Sequence, residues 1–248
     1  MKIIKFSAII LVAILCCSLL FVYLYPQIWI QYKLKNLNKY FFGCGDYSKL
    51  IIKPIQRSIP DIKLNGYLVI HKKISFILPW KVTDTKWINS SEVLKFKEIN
   101  KGVAIFDPGG INIDNFKENM PDSYKWLTDF YGFKKLKSTY FLYSELINCC
   151  PNQITYKLSR KEALTKYALL LSKSSMLKFL CSKVYSFKTK YVVGYHLTHE
   201  IDSIDKKRLI DIHFWPKGSD KYYTLCLPNE LVNQNIIDGI INSIKIIK

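Results

Sequence analysis

Residues 209–227, LIDIHFWPKGSDKYYTLCL, decide the fold. Leu209, Ile210, Ile212, Phe214 and Trp215 surround Asp211 and His213, and this alternation of apolar and polar side chains marks a strand with one face buried. A second apolar run follows from Tyr222 to Leu227. Pro216-Lys217-Gly218-Ser219-Asp220 between the two has the composition of a turn. The stretch predicts an antiparallel hairpin.

Upstream, Val184-Tyr185-Ser186-Phe187 and Tyr191-Val192-Val193-Gly194-Tyr195-His196 extend the hairpin into a meander. Downstream, Val232, Ile236, Ile240 and Ile244 recur at i+4 steps and predict a closing helix from about Leu231 to Lys245. The N-terminal half contains a second group of strands, at Leu50-Ile51-Ile52, Tyr67–Ile70, Ile74–Leu78, Val93–Lys97 and Val103–Phe106. The last of these stops at the turn Asp107-Pro108-Gly109-Gly110.

Helices separate the two groups. Pro121 suits a first helical position, with Tyr124, Leu127 and Tyr131 on one face before Gly132. Thr139–Cys150 predicts a second helix, closed by Pro151. Ser159-Arg160-Lys161-Glu162 is a capping box that starts a third. In that third helix Ala163, Leu164, Tyr167, Ala168, Leu170 and Leu171 define an apolar face. Lys161, Thr165, Lys166, Ser172 and Lys173 define a polar one, and Leu169 falls outside the pattern. Strands, helices and strands again predict an α+β class: an antiparallel sheet covered by helices, in one domain over residues 49–248 with a helical insert at about 114–180.

Residues 6–25, FSAIILVAILCCSLLFVYLY, carry no charge and follow Lys2 and Lys5. Twenty helical residues span about 30 Å, the thickness of a bilayer's hydrocarbon core. The expectation is an uncleaved transmembrane anchor over residues 1–26 and a juxtamembrane segment over 27–48, with Tyr23, Tyr25, Trp29 and Tyr32 at the interface. Lysines flank the run on both sides, so the positive-inside count is a tie. A short tail, Met1–Lys5, before an apolar run resembles a secretion signal and favours a domain outside the cytoplasm, in the periplasm.

Formal net charge is +18, yet only Arg57, Arg160 and Arg208 are arginines among 37 basic residues. Base-edge readers rely on the planar arginine fork, so no specific nucleic-acid partner is expected. The charge is concentrated. Residues 132–190 hold 12 basic side chains against Glu145 and Glu162 alone. Such density attracts anionic headgroups, nucleic acid without base specificity or an acidic protein, and Lys134, Lys135, Lys137, Lys161 and Lys166 are the expected contact surface for an anionic lipid or envelope partner.

Candidate chemistry is sparse. His196-Leu197-Thr198-His199-Glu200, with His213 further on, is a metal-like grouping, but i and i+3 on a strand point to opposite faces. The reading is of ordinary sheet and loop histidines, with no metal or cofactor. Asp107–Gly110 lacks the helix start with Lys-Ser/Thr of a phosphate loop, and no G-x-S-x-G occurs. Five cysteines lie outside the anchor. Cys149 or Cys150 could pair with Cys181 in an oxidising compartment, or all could serve as small buried hydrophobes.

The C-terminal meander closed by a helix ending Ile241-Asn242-Ser243-Ile244-Lys245 resembles PsbP-type α/β sandwich domains. Phe76-Ile77-Leu78-Pro79-Trp80, a strand leaving on Pro-Trp, is similar to how such domains begin. The resemblance implies a domain that holds a ligand or serves as a scaffold without catalysis. These features together predict a non-enzymatic, membrane-anchored binding or scaffold domain of the bacterial envelope. The alternative is a membrane-tethered hydrolase whose site is assembled from His196, His213 and Asp211.

Overall fold

The computed structural model describes residues 11–20, 25, 27–33, 50–88, 91–96, 103–106, 113–155, 157–176, 181–199 and 209–247. The strands are β1 (Ile55–Arg57), β2 (Tyr67–His71), β3 (Ile74–Leu78), β4 (Val82–Ile88), β5 (Ser91–Phe96), β6 (Val103–Phe106), β7 (Cys181–Lys188), β8 (Val192–His199), β9 (Leu209–Pro216), β10 (Tyr223–Pro228) and β11 (Lys245–Ile246). Helical residues 11–20 and 27–33 are α1 and α2. The others are α3 (Ile113–Asn119), α4 (Pro121–Tyr131), α5 (Phe133–Leu136), α6 (Thr139–Asn148), α7 (Arg160–Met176) and α8 (Gln234–Ser243).

The class is α+β. The predicted hairpin is β9–β10, with Tyr223 opposite Phe214 and Leu225 opposite Ile212. It lies inside an eight-stranded sheet of order β1-β7-β8-β9-β10-β6-β5-β4, where β1 runs parallel to β7 and the other pairs are antiparallel. A second sheet, β11-β3-β2, was not foreseen. Two residues after α8 suffice to pair Lys245 with Ser75 and Ile246 with Ile74.

Each face of the large sheet has its own cover. The small sheet and α8 close one face over Leu94, Ile105, Ile210, Ile212, Phe214, Leu225 and Leu227, all buried. On the other face Val184, Tyr195, Leu197, Trp215 and Tyr222 meet Tyr143 and Ile147 of α6. The helical insert has a third core, centred on Leu127, Leu142, Leu146 and Leu170. Burial at about 25 cal/mol per Å² of apolar surface favours this layering.

Gly194 allows two strands to approach. A Cβ there would lie 2.2 Å from the carbonyl oxygen of His213 and 2.6 Å from the ring of Phe187. Gly194→Ala should therefore cost about 2 kcal/mol of stability, measured by urea denaturation, because a backbone oxygen cannot turn aside.

The helices follow their sequence signals, with one large correction. Pro121 begins α4, and Gly132, at φ +80°, ends it. The Ser159 capping box forms: its backbone N–H donates to Glu162 Oε2 at 2.9 Å, and the Glu162 N–H donates to Ser159 Oγ at 3.3 Å. Most of the expected solvent face of α7, however, lies inside the protein, with Lys161 left exposed and Lys166 half-buried. Thr165, Ser172 and Lys173 are buried, and so is Leu169. The physical reason is that α7 packs against both α4 and α6. The hydroxyls are satisfied locally, Thr165 Oγ1 donating to Lys161 O at 2.8 Å and Ser172 Oγ to Ala168 O at 3.0 Å.

Lys173 reaches further. Its Nζ donates to the carbonyls of Ile52 (2.6 Å), Ile147 (2.9 Å) and Cys149 (2.8 Å). It thereby caps the C-terminal end of α6 and fastens residues 50–54 to it.

Smaller corrections concern element boundaries. Leu50 is helical and residues 51–54 are irregular, so the first strand starts after Pro54, which has no N–H to donate to a ladder. Strand β4 escapes the alternation test because Thr83, Asp84, Thr85 and Lys86 are all exposed at the sheet edge. The turn expected at 107–110 lies outside the described residues.

Among the described residues no helix is long and apolar enough to cross a membrane. The anchor expected over residues 6–25 falls partly outside them. Within it, α1 exposes Leu11, Val12, Ile14, Leu15, Leu19 and Leu20.

Candidate functional site

Three strand ends set the floor of an open groove. Lys188 at the end of β7 pairs with Val193 of β8, which pairs with Trp215 of β9. In-register neighbours present side chains to the same side of a sheet, here the side covered by α6. The wall is built by Ser138 and Tyr140 at the start of α6, and the rim by the turn Pro216-Lys217-Gly218-Ser219-Asp220. The groove has a volume of about 400 Å³.

Hydrogen bonds fix the wall to the turn. Trp215 Nε1 donates to Thr139 Oγ1 at 2.9 Å, and that hydroxyl donates to the Asp220 carbonyl at 2.8 Å. Tyr140 sets its ring edge-on to Trp215, centroids 5.4 Å apart. Ser138 caps α6, its side chain accepting from the Phe141 N–H. Lys188 and Lys217 are exposed beside this aromatic floor, and Lys137 directly precedes Ser138. The carboxylate at the rim is Asp220. Two ammonium groups and the positive end of a ten-residue helix favour an anion.

Further down the same sheet face lies a polar network. The hydroxyls of Tyr222 and Thr224 (3.1 Å) are both within hydrogen-bonding reach of Nδ1 of His213. Tyr222 stacks on the His213 ring, and Tyr143 of α6 packs against it with centroids 5.4 Å apart. Burial pushes the Tyr222 hydroxyl up, and burial together with the facing Asp211 carboxylate pushes the Cys226 thiol up. A thiol held protonated in this way is a poor nucleophile.

His196 does not join that network. Its cross-strand partners are Tyr185 and Ile212, and its ring stacks on Tyr185 at 5.5 Å, on the face covered by α8. Arg57 lies over the Tyr185 ring at 5.8 Å and pairs with Asp238 of α8 at 2.5 Å. His213 and Asp211 share the α6 face, so the three residues of the hydrolase alternative are not brought together. Glu200 lies outside the described residues. Among the described residues no group of three or more His, Cys, Asp or Glu side chains could hold a metal ion.

The five lysines of the expected contact surface are divided. Lys134, Lys135 and Lys137 are exposed around α5, where Lys135 Nζ lies 4.4 Å from the Phe141 ring centroid and Lys137 Nζ lies 4.7 Å from that of Phe133. Lys161 is exposed at the first turn of α7. Lys166 follows about 140° around that helix, half-buried, with Nζ donating to Gln153 Oε1 at 3.2 Å. Cys149 and Cys150 are free thiols that donate to the carbonyls of Lys166 (3.6 Å) and Ile51 (3.5 Å), so neither pairs with Cys181. Burial pushes the Cys149 thiol up to about 11.

Sequence reasoning missed Lys188, Lys217, Tyr140 and Trp215 as a set. The signal was partial: Trp215-Pro216-Lys217 leaves a strand into a turn, but nothing local announces that residues 138–140 meet it. No family model, curated protein or solved structure matches this chain, so the groove's role has to be argued from its own residues.

Proposed function

We propose that this chain is a single-pass membrane protein of the bacterial envelope, anchored by residues 6–25, whose α+β domain binds an anionic ligand without transforming it. The observation that carries this reading is the groove, where Lys188 and Lys217 lie beside the Tyr140–Trp215 aromatic pair and Lys137 adjoins its wall. Anchoring is supported by α1, where six large apolar side chains are each 59–70% exposed. An uncovered apolar helix of that kind is stable in lipid and costly in water. A domain facing the periplasm would meet anionic envelope components directly. The ligand-holding role implied by the PsbP-type resemblance agrees with such a site.

The test uses the full chain in nanodiscs of neutral lipid, with 4-nitrophenyl phosphate as an anionic aromatic probe followed by calorimetry. The double variant Lys188→Glu, Lys217→Glu should weaken binding about tenfold or more, a change of about 1.4 kcal/mol, with the circular dichroism spectrum unchanged. Equal affinity in both proteins removes the groove as the site. Release of nitrophenolate that depends on His213 would favour the hydrolase instead.

A further inference from the structure

The anchor's exit helix, α2, is itself held against the helical insert. Gln27 Nε2 donates to the Leu158 carbonyl at 3.0 Å, and Gln31 Nε2 donates to the Ile154 carbonyl at 3.1 Å. Ile30 between them is fully buried in the core of the helical insert. Trp29 meets Tyr167 edge-on at 5.4 Å, and Tyr167 also contacts Trp126 at 6.3 Å. Helix α2 is thus held to the loop ahead of α7 by hydrogen bonds four residues apart on one face and by packing between them.

That docking fixes the height of the loop. If the hydrocarbon ends near Tyr25, Gln27 and Gln31 lie about 3 Å and 9 Å beyond it at the helical rise per residue. The headgroup layer on each side of a bilayer is roughly 5–8 Å thick. The carbonyls of Leu158 and Ile154 therefore lie level with the headgroups or just above them. The loop and the turn that follows expose Lys157, Arg160 and Lys161. Lys33 adds a further ammonium, 5.6 Å above the Trp29 ring.

The neighbouring carboxylate is already engaged. Glu162 accepts from both the backbone N–H (2.9 Å) and the hydroxyl (2.8 Å) of Ser159, and these bonds hold its carboxyl below the usual range. We infer that Lys157, Arg160 and Lys161 form a cationic collar that docks the domain on the phosphate headgroups of the anchor's own membrane. The collar assigns Lys161 to lipid, while Lys134, Lys135 and Lys137 lie around α5, ahead of the start of α6. The two sites are separated along α6, whose first residue adjoins the groove and whose last leads through the 3₁₀ turn Pro151–Gln153 to the collar loop.

This inference rests on the anchored reading, and the experiment separates the two. The full chain is reconstituted into nanodiscs of phosphatidylcholine alone and of phosphatidylcholine with phosphatidylglycerol, then treated briefly with acetic anhydride. Lys157 and Lys161 should be acetylated roughly fivefold more slowly on the anionic discs, with Lys188 and Lys217 unchanged. Lys33, beside the collar, should also react more slowly on the anionic discs, and the variant Lys157→Glu, Arg160→Glu, Lys161→Glu should abolish that difference. If that variant fails to fold, the comparison of wild-type protein on the two discs still decides. Insertion into both discs with equal acetylation overturns the collar and leaves the anchor standing. Failure to insert overturns both.

Discussion

Exchanging Lys173 for methionine is expected to remove about 3 kcal/mol of stability and to lower Tm by roughly 6–12 °C. Methionine keeps the length of the stem, so apolar packing along α7 is nearly preserved and the loss isolates the ammonium. Three backbone carbonyls, those of Ile52, Ile147 and Cys149, then lose their donor inside the protein. Each buried carbonyl left without a partner costs about 1–3 kcal/mol, offset in part because the desolvated charge disappears too. The effect should also be local. Residues 50–54 lie between β1 and the helical insert and are fastened there by this bond, so their amides should exchange faster in the variant than those of the sheet. Lys166→Met is the control: one bond to Gln153 from a half-exposed site predicts a loss under about 1 kcal/mol. Equal melting shifts in the two variants would show that Lys173 contributes no more than a surface lysine.

Lys173 also shows where the sequence stops being legible. At helical spacing it shares a face with Thr165, Lys166 and Ser172, and periodicity assigns that whole face to solvent. Periodicity assumes one buried face per helix. Here α7 packs against both α4 and α6, and a lysine becomes an internal cap because the carbonyls of Ile52, Ile147 and Cys149 converge on it. The same limit hid the groove. Strand β9, the turn after it and α6 are each readable from local pattern, but the bond from Trp215 to Thr139 spans 76 residues and leaves no local trace. Strands β2 and β3 of the small sheet were legible, but their separation from the large sheet was not, since the two-residue β11 is too short to show alternation. What local chemistry does specify, the sequence showed: the Ser159 capping box, Pro121 opening α4, and the β9–β10 hairpin formed as read.

The separation of His196 from His213 follows from the same arithmetic. Their strands pair with Tyr195 opposite His213 and His196 opposite Ile212, so one residue of offset sends the two rings to opposite covers. One meets the hydroxyls of Tyr222 and Thr224. The other enters an apolar layer between the sheet and α8.

That layer makes the stability of the domain depend on pH through His196. Both of its ring nitrogens are buried without a hydrogen-bond partner among the described residues. Burial first, and the nearby Arg57 charge second, push its pKa down from 6.5 to about 4, against a smaller upward pull from Asp211. The folded protein therefore keeps His196 neutral where the unfolded chain takes up a proton. With the unfolded state binding more protons, stability is retained above pH 6.5 and is lost as pH falls towards 4, by about 3 kcal/mol in total. Asp238 contributes with the opposite sign: burial pushes its carboxyl up, so protonation in acid favours the fold there. The difference between wild type and His196→Leu cancels that contribution, because Asp238 is present in both proteins. Leucine leaves no unpartnered nitrogen beside Ile212 and Tyr185, and the variant should be about 1 kcal/mol more stable than wild type at pH 7. The gap should widen to about 4 kcal/mol at pH 4. Urea denaturation of the full chain in neutral detergent at pH 7, 5.5 and 4 measures it. A gap that stays constant across the three pH values would mean that His196 takes up its proton equally in the folded and unfolded states, contrary to its burial between the sheet and α8.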